Sequence, residues 1–353
     1  LPRLDYSGGA TCPSLLLEPQ RTNLATYSEQ FDNAAWYEAS GIAVTANAAV
    51  SPDGYTNADL IYGATSGSIS SVQQNTGAAA VATYTNSIFV KYSGKQWFFI
   101  FELNGNNGGN FFDIQNGVLG TQNFGSGAFI TSYGNGWYRV GFTQSLTSGN
   151  LYAIYGVSNA NDSFTNTADG TNGALIWGAQ LEQGAYATSY IPTIAATTRG
   201  ADAAYRTSAS AIIGQTEGTI YWEGSITGIP VDQTIFGVEK ESSNFVIRFG
   251  GDGTNIYAQS YNGSTSLFFE TTTPSIGQTI KLAFAYKAGS YAFYKNGTLV
   301  AAGTNATTIP ACDKLQTNVL WSTSGGIGAY NTNQALVFKT RLSNASLAQL
   351  TTL

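Results

Sequence analysis

The chain has 353 residues, with 41 glycines, 21 tyrosines, two cysteines, no histidine and a net charge of −6. That length suits two domains better than one small one. The acidic balance and the lack of any basic block exclude a nucleic-acid partner, whose phosphates demand clustered Lys and Arg. The missing histidine excludes a Ser-His-Asp triad.

Charged residues make up only 10% of the chain, so its polar surface is mostly Asn, Gln, Ser and Thr. With so much Gly and Tyr, this describes strands and tight turns. Cys12 and Cys312 cannot form a disulfide framework or a Cys-based metal site, though one bridge between them is open. The chain opens on Leu1 with no charged-then-apolar leader and holds no long apolar run. It therefore reads as a fragment or processed product without signal peptide or membrane span.

Taken in order, Leu15, Leu16 and Leu17 form a short apolar run between Pro13 and Pro19, read as an edge strand. Ile42, Val44 and Ala46 alternate, Pro52-Asp53-Gly54 makes a turn, and Ala58 to Tyr62 starts another strand. Tyr84 to Tyr92 and Gln96 to Leu103 are strong strands. In the second, Trp97, Phe99 and Phe101 face one way and Phe98, Ile100 and Glu102 the other. Such a strand is central between layers. The Gly-rich loop Asn104 to Gly109 follows, expected to be mobile. FFDIQNGVLGT is a hairpin turning at Asn116-Gly117.

The first half closes on GALIWGAQLEQGAYATSYIPT, Gly173 to Thr193. Alternation puts Leu175, Trp177, Ala179 and Leu181 on one face and Ile176, Gly178, Gln180 and Glu182 on the other. Gly184 breaks the pattern, and Pro192 holds the residue before it extended. TIAATTRGADAAY then reads as a linker. With LLLEPQRTNLATYSEQFDNAAW (Leu15 to Trp36), SPDGYTNADLIY (Ser51 to Tyr62) and GNGWYRVGFT (Gly134 to Thr143), this stretch resembles modules of bacteriophage tail and fibre proteins. The resemblance implies a carbohydrate-binding jelly roll.

Beyond residue 200, GTIYWEGSITG, NFVIRFGG, NIYAQSYNGS and SLFFETTT read as strands. KLAFAYKAGSYAFYKNGTLVAAG is a hairpin pair with Leu282, Phe284 and Tyr286 on one face. A short terminal helix is capped by Ser343 or Asn344, with Leu347 and Leu350 on one side. The strand pair Lys281 to Val300 and the terminal ALVFKTRLSNASLAQL resemble the concanavalin A-like, laminin-G-type sandwich. The expected fold is thus all-β: two antiparallel β-sandwiches in tandem, a jelly roll over residues 1–195 and a concanavalin A-like lectin domain over 196–353. That second fold hosts lectins, hydrolases, lyases and spacers alike.

Hydrolases of the concanavalin A-like class carry a Glu-x-Asp-x-x-Glu run on one strand, and none exists here. Glu239 and Glu241 lie in a solvated-looking turn. Glu102, on an apolar strand, needs a partner such as Arg139. No catalytic residue is assigned. Binding fits better: aromatic rings stack on sugar C–H faces while amides read hydroxyls. The rings and amides in loop-like settings are Tyr133, Tyr261, Asn262, Trp321, Tyr330 and Asn331. Trp36, Trp137 and Trp177 read as packing residues. No cofactor is required. Structural calcium has oxygen-rich turns at Asp53, Asp169 and Asp252.

The leading expectation is a non-catalytic virion protein of a phage tail or head fibre that grips polysaccharide on the bacterial surface. Its other partners would be virion proteins and further copies of itself, a trimer being favoured by the resemblance. A structural spacer or capsid decoration, and a polysaccharide depolymerase, are the alternatives.

Overall fold

The computed structural model describes residues 3–5, 14–103, 108–147, 149–241, 244–309, 311–320 and 329–353. Among these the secondary structure is strand apart from one helix, Asn344–Thr351, and the neighbouring strands of each sheet run antiparallel. Ser343 caps the helix, its hydroxyl accepting from the Ser346 amide, and Leu347 is buried. No helix of the described residues is long and apolar enough to cross a membrane.

The chain divides into two compact units, residues 21–199 and residues 1–20 with 200–353. The first twenty residues, expected in the first module, therefore belong with the second. The reason is a strand pairing: Leu15 lies opposite Thr332 and Leu17 opposite Tyr330. Ser14–Leu17 is also not an edge. It lies between Arg3–Asp5 and Ala329–Phe338.

In the 21–199 unit, one six-stranded sheet runs in the order Val118–Gln122, Gly108–Asp113, Trp97–Glu102, Asn150–Ser158, Ser71–Ala78 and Tyr37–Ala39. The other runs Ser126–Gly134, Trp137–Leu146, Ala82–Ser93, Gly173–Gln183, Thr56–Gly63 and Ile42–Val50. Their inner faces share one core. Phe98, Ile100, Phe112 and Tyr155 come from the first sheet; Ile88, Val90, Val140 and Ile176 come from the second. Each such side chain contributes about 1.5–3 kcal/mol when fully buried.

Trp97–Glu102 is apolar on both faces because both are covered. Phe98 and Ile100 point into the core, while Phe99 and Phe101 meet Phe164 at ring distances of 5.2 and 5.1 Å. The stretch expected to link the domains is partly strand, since Thr197–Arg199 pairs with Arg21–Asn23.

The other unit has a seven-stranded sheet in the order Arg3–Asp5, Ser14–Leu17, Ala329–Phe338, Glu217–Gly228, Thr279–Lys287, Tyr291–Lys295 and Thr298–Gly303. A second sheet carries Ala204–Arg206, Lys314–Thr317, Val231–Glu239, Phe245–Asp252, Ile256–Asn262 and Ser266–Thr272, with Val319–Leu320 beside Val231–Glu239. Trp222, Leu282, Phe284 and Phe293 from the first sheet interlock with Ile235, Ile247, Phe249 and Phe268 from the second. Both units are thus antiparallel β-sandwiches. Cys312 is buried in this core. Cys12 and most of the loop from Asn104 lie outside the described residues, as does the side chain of Glu102.

Candidate functional site

The sheet holding Ala82–Ser93 buries Ile88 and Val90 inward, so Phe89 and Lys91 point outward. Register then fixes their neighbours. Arg139 stands opposite Phe89 and Thr131 opposite Arg139; Trp137 stands opposite Lys91. Trp177 stands opposite Phe89 from the other side. Plain alternation would have put Trp177 on the face of Ala179 and Leu181. A β-bulge at Gly178, whose φ is 67°, resets the count. Ala174, Ile176, Ala179 and Leu181 go to the core, and Trp177 turns outward with Gln180 and Glu182. One extra residue in a strand exchanges the two faces beyond it.

After Gly184 the chain returns across this outer face. The Thr188 carbonyl accepts from Arg139 Nη1 at 2.7 Å, and the Ile191 amide donates to Gln180 Oε1 at 2.7 Å. Tyr190 lies against Trp177 with ring centroids 4.6 Å apart. Its hydroxyl bridges Ser28 at 2.6 Å and Glu29 at 3.0 Å. Burial raises the Glu29 carboxyl above the usual carboxylate range; the Tyr190 hydrogen bond opposes this and Asp53 adds to it.

Tyr133 marks the open part of the face. It precedes a two-residue turn, Asn135-Gly136, closed by the pair Gly134 and Trp137. Asn135 and Gly136 both have positive φ, 52° and 78°, as a type I′ turn requires. Alternation along Ser126–Gly134 puts Tyr133 on the outer side with Thr131. Its ring meets Phe89 edge-on at 4.9 Å and is 52% exposed.

Clefts flank the ring. The larger, about 340 Å³, is walled by Ser51, Pro52, Lys91, Asn135 and Trp137. The smaller, about 220 Å³, is walled by Phe129, Thr131, Arg139 and Ala187. Trp137 Nε1 donates to the Val50 carbonyl at 3.2 Å and so anchors the loop that forms one wall. Arg139 is 5% exposed, sits 5.3 Å from the Phe89 ring centroid and donates to Ser87 Oγ at 3.0 Å.

Tyr133, expected in a loop-like setting, lies near the end of the strand Ser126–Gly134 and is exposed. The other expected residues are not gathered with it. Tyr330 is a correction: it is 1% exposed, its hydroxyl donates to the carbonyls of Thr234 and Ile235, and its ring meets Trp222 edge-on at 6.1 Å. Its strand lies inside a sheet, so the ring is a core residue. Asn331, on that strand, is partly buried opposite Leu16 and Ser225. Tyr261 and Asn262 end a strand, where the Asn262 side chain accepts from the amides of Ser264 and Thr265 and shapes a turn. Trp321 lies outside the described residues.

The three aspartates considered for calcium each close a turn of their own. Asp53 accepts from Ser51 Oγ and the Tyr55 amide, Asp169 from the amides of Thr171 and Asn172, and Asp252 from those of Thr254 and Asn255. Among the described residues no three His, Cys, Asp or Glu side chains come together as a metal site. Glu239 ends a strand and pairs with Lys314 at 2.6 Å. Arg139, suggested as a partner for Glu102, is engaged by Thr188 and Ser87. Sequence reasoning missed Lys91, Asn135 and the loop at Ser51. The signal available was the Gly-Asn-Gly turn directly after Tyr133.

No family profile matches the chain, and no curated protein matches it. Solved structures similar to parts of it include domain 4 of AbnA, a GH43 extracellular arabinanase from Geobacillus stearothermophilus, in complex with arabinotriose. That match has 16% identity, covers 39% of this chain and 68% of that one, and has a TM-score of 0.33. The CBM40 of the Ruminococcus gnavus IT-sialidase bound to α2,3-sialyllactose matches at 14% identity over 39% of this chain and 84% of that one, with a TM-score of 0.30. A SAP-like pentraxin from Limulus polyphemus matches at 14% identity over 40% and 72%, with a TM-score of 0.31. Similarity at this level carries no conclusion about activity.

Proposed function

We propose that the chain recognises glycans without cleaving them, and that the 21–199 unit does so through the face around Tyr133. One observation carries this reading: a half-exposed tyrosine ring, held edge-on by Phe89, stands between clefts walled by an amide, hydroxyls and two cations. A ring so fixed can stack on the C–H face of a sugar at little cost in side-chain entropy, while the exposed Asn135 and Thr131 are placed to read hydroxyls. Among the described residues no carboxylate lines either cleft, whereas glycoside hydrolysis uses an acid and base pair.

The resemblance of Leu15 to Trp36, Ser51 to Tyr62 and Gly134 to Thr143 to phage tail and fibre modules supports placing the chain on a virion, with polysaccharide of the bacterial surface as ligand. A second reading, a spacer built for self-association, is favoured by Tyr37, Tyr55 and Tyr205, which all stand well exposed. A glycan array and a host-cell retention assay with the whole chain test the first reading. Retention that disappears in Tyr133→Ala supports it. Failure to bind any glycan or cell, with Tyr37, Tyr55 and Tyr205 protected in an oligomer, favours the second.

A further inference from the structure

We infer that the Tyr133 face selects acidic saccharides, with Lys91 as the residue that grips the sugar carboxylate; this rests on the glycan-recognition function proposed above. The chain holds 15 basic and 21 acidic side chains. A spot where two cations face no anion runs against that composition. Lys91 and Arg139 make such a spot. They lie on adjacent strands, where Lys91 is two residues from the partner of Arg139. Such diagonal neighbours sit roughly 7–8 Å apart across the two strands.

Lys91 is partly buried, walls the larger cleft, and among the described residues its ammonium has neither a carboxylate nor a hydrogen-bond acceptor. Arg139 walls the smaller cleft. Among the described residues its guanidinium is anchored by neutral acceptors, the Thr188 carbonyl and Ser87 Oγ, and its buried Nε has no partner. A buried charge without a counterion is costly, and proteins generally pair one.

The acids nearby are engaged elsewhere. Glu182, reached through Thr188, accepts from Thr188 and Gln180 and lies 3.6 Å from Arg21. Asp53, at the loop forming the rim, accepts from Ser51, Tyr55 and Asn57. A carboxylated sugar stacked on Tyr133 would put its anion at Lys91, within the field of Arg139. Lys91 makes the direct contact, and Arg139, its head below the surface, acts through its charge.

The test uses affinity electrophoresis and titration calorimetry of the whole chain against polygalacturonate, polysialic acid, their carboxyl-reduced forms, neutral dextran and dextran sulfate. Binding to at least one carboxylated polymer is expected, weakened about tenfold or more by carboxyl reduction or by Lys91→Ala, and retained in Lys91→Arg. It should also fall as NaCl rises from about 50 to about 500 mM. Equal binding of neutral or carboxyl-reduced polymers, or unchanged binding in Lys91→Ala, overturns the acidic selectivity. In that case glycan recognition stands if Tyr133→Ala still abolishes binding. Equal binding of dextran sulfate overturns it too, by showing a general polyanion surface. If no polymer in this set or on the array binds, both readings fall together.

Discussion

Asn23 is hydrogen-bonded to Ile191 across 168 positions of sequence: its side-chain amide donates to the Ile191 carbonyl at 2.9 Å. The same amide donates to the Ala179 carbonyl at 2.9 Å, and its oxygen accepts from the amides of Leu181 and Ala25. One buried side chain thus ties the returning segment to the strand beneath it. Asn23→Ala should lower stability by about 3 kcal/mol or more, because several buried backbone groups lose their only side-chain partner at once. Urea unfolding followed by fluorescence measures this. A loss under about 1 kcal/mol would show that water replaces the amide.

Tyr133 and Trp137 separate recognition from stability. Tyr133→Ala removes an exposed ring and should change unfolding free energy by less than about 1 kcal/mol. Trp137→Ala removes a ring that is buried in the cluster of Ala58, Phe89 and Trp177 and hydrogen-bonded to Val50. It should cost about 3–5 kcal/mol. Thermal melts beside a glycan-binding assay distinguish the two; a large melting shift in Tyr133→Ala would make that ring structural.

Gly178 has a φ of 67°, and an added Cβ would lie 3.0 Å from the Phe89 ring and 3.3 Å from Tyr190. Gly178→Ala should cost about 1–3 kcal/mol from backbone strain alone. It should also loosen Trp177, read as a red-shifted tryptophan emission. Wild-type stability and spectrum in this variant would mean the bulge tolerates a side chain.

Burial pushes the Asp59 carboxyl from 3.8 up to about 6, although the amides of Asn47 and Phe31 pull the other way. Between those values the folded chain holds a proton that the unfolded chain has released. This group's contribution to stability therefore falls as pH rises from about 4 to about 6, by up to about 3 kcal/mol, and the loss is complete above that window. Denaturant midpoints across this range should show the decline in the wild type and a flatter profile in Asp59→Asn. Identical slopes would place the effect elsewhere.

Much of the architecture was legible because strands advertise themselves locally. Phe98 and Phe99, and Leu282, Phe284 and Tyr286, behave as period-two patterning dictates, and Asn116-Gly117 lies in the four-residue connection between Asp113 and Val118. What was not legible depends on pairing between distant segments. Tyr330 looked exposed beside Asn331, but it is buried because Ser14–Leu17 and Glu217–Gly228 enclose its strand. The face of Trp177 turned on a single bulge that alternation cannot show. Lys91 and Arg139 are unremarkable alone. They become a pair through register across adjacent strands, and the Tyr133 surface through what the returning segment leaves uncovered.

The pairing of Leu15 with Thr332 sets an order of assembly. The 21–199 unit has all its strands once Arg199 has left the ribosome, and its two ends meet where Arg21 lies opposite Arg199. The other sandwich has to wait for Thr332 before Leu15 can find its place. Synthesis thus finishes the inserted unit first, with an apolar strand held in reserve upstream of it, which makes the interval until Thr332 is made the period when that strand is open to chaperones and to pairing with other chains.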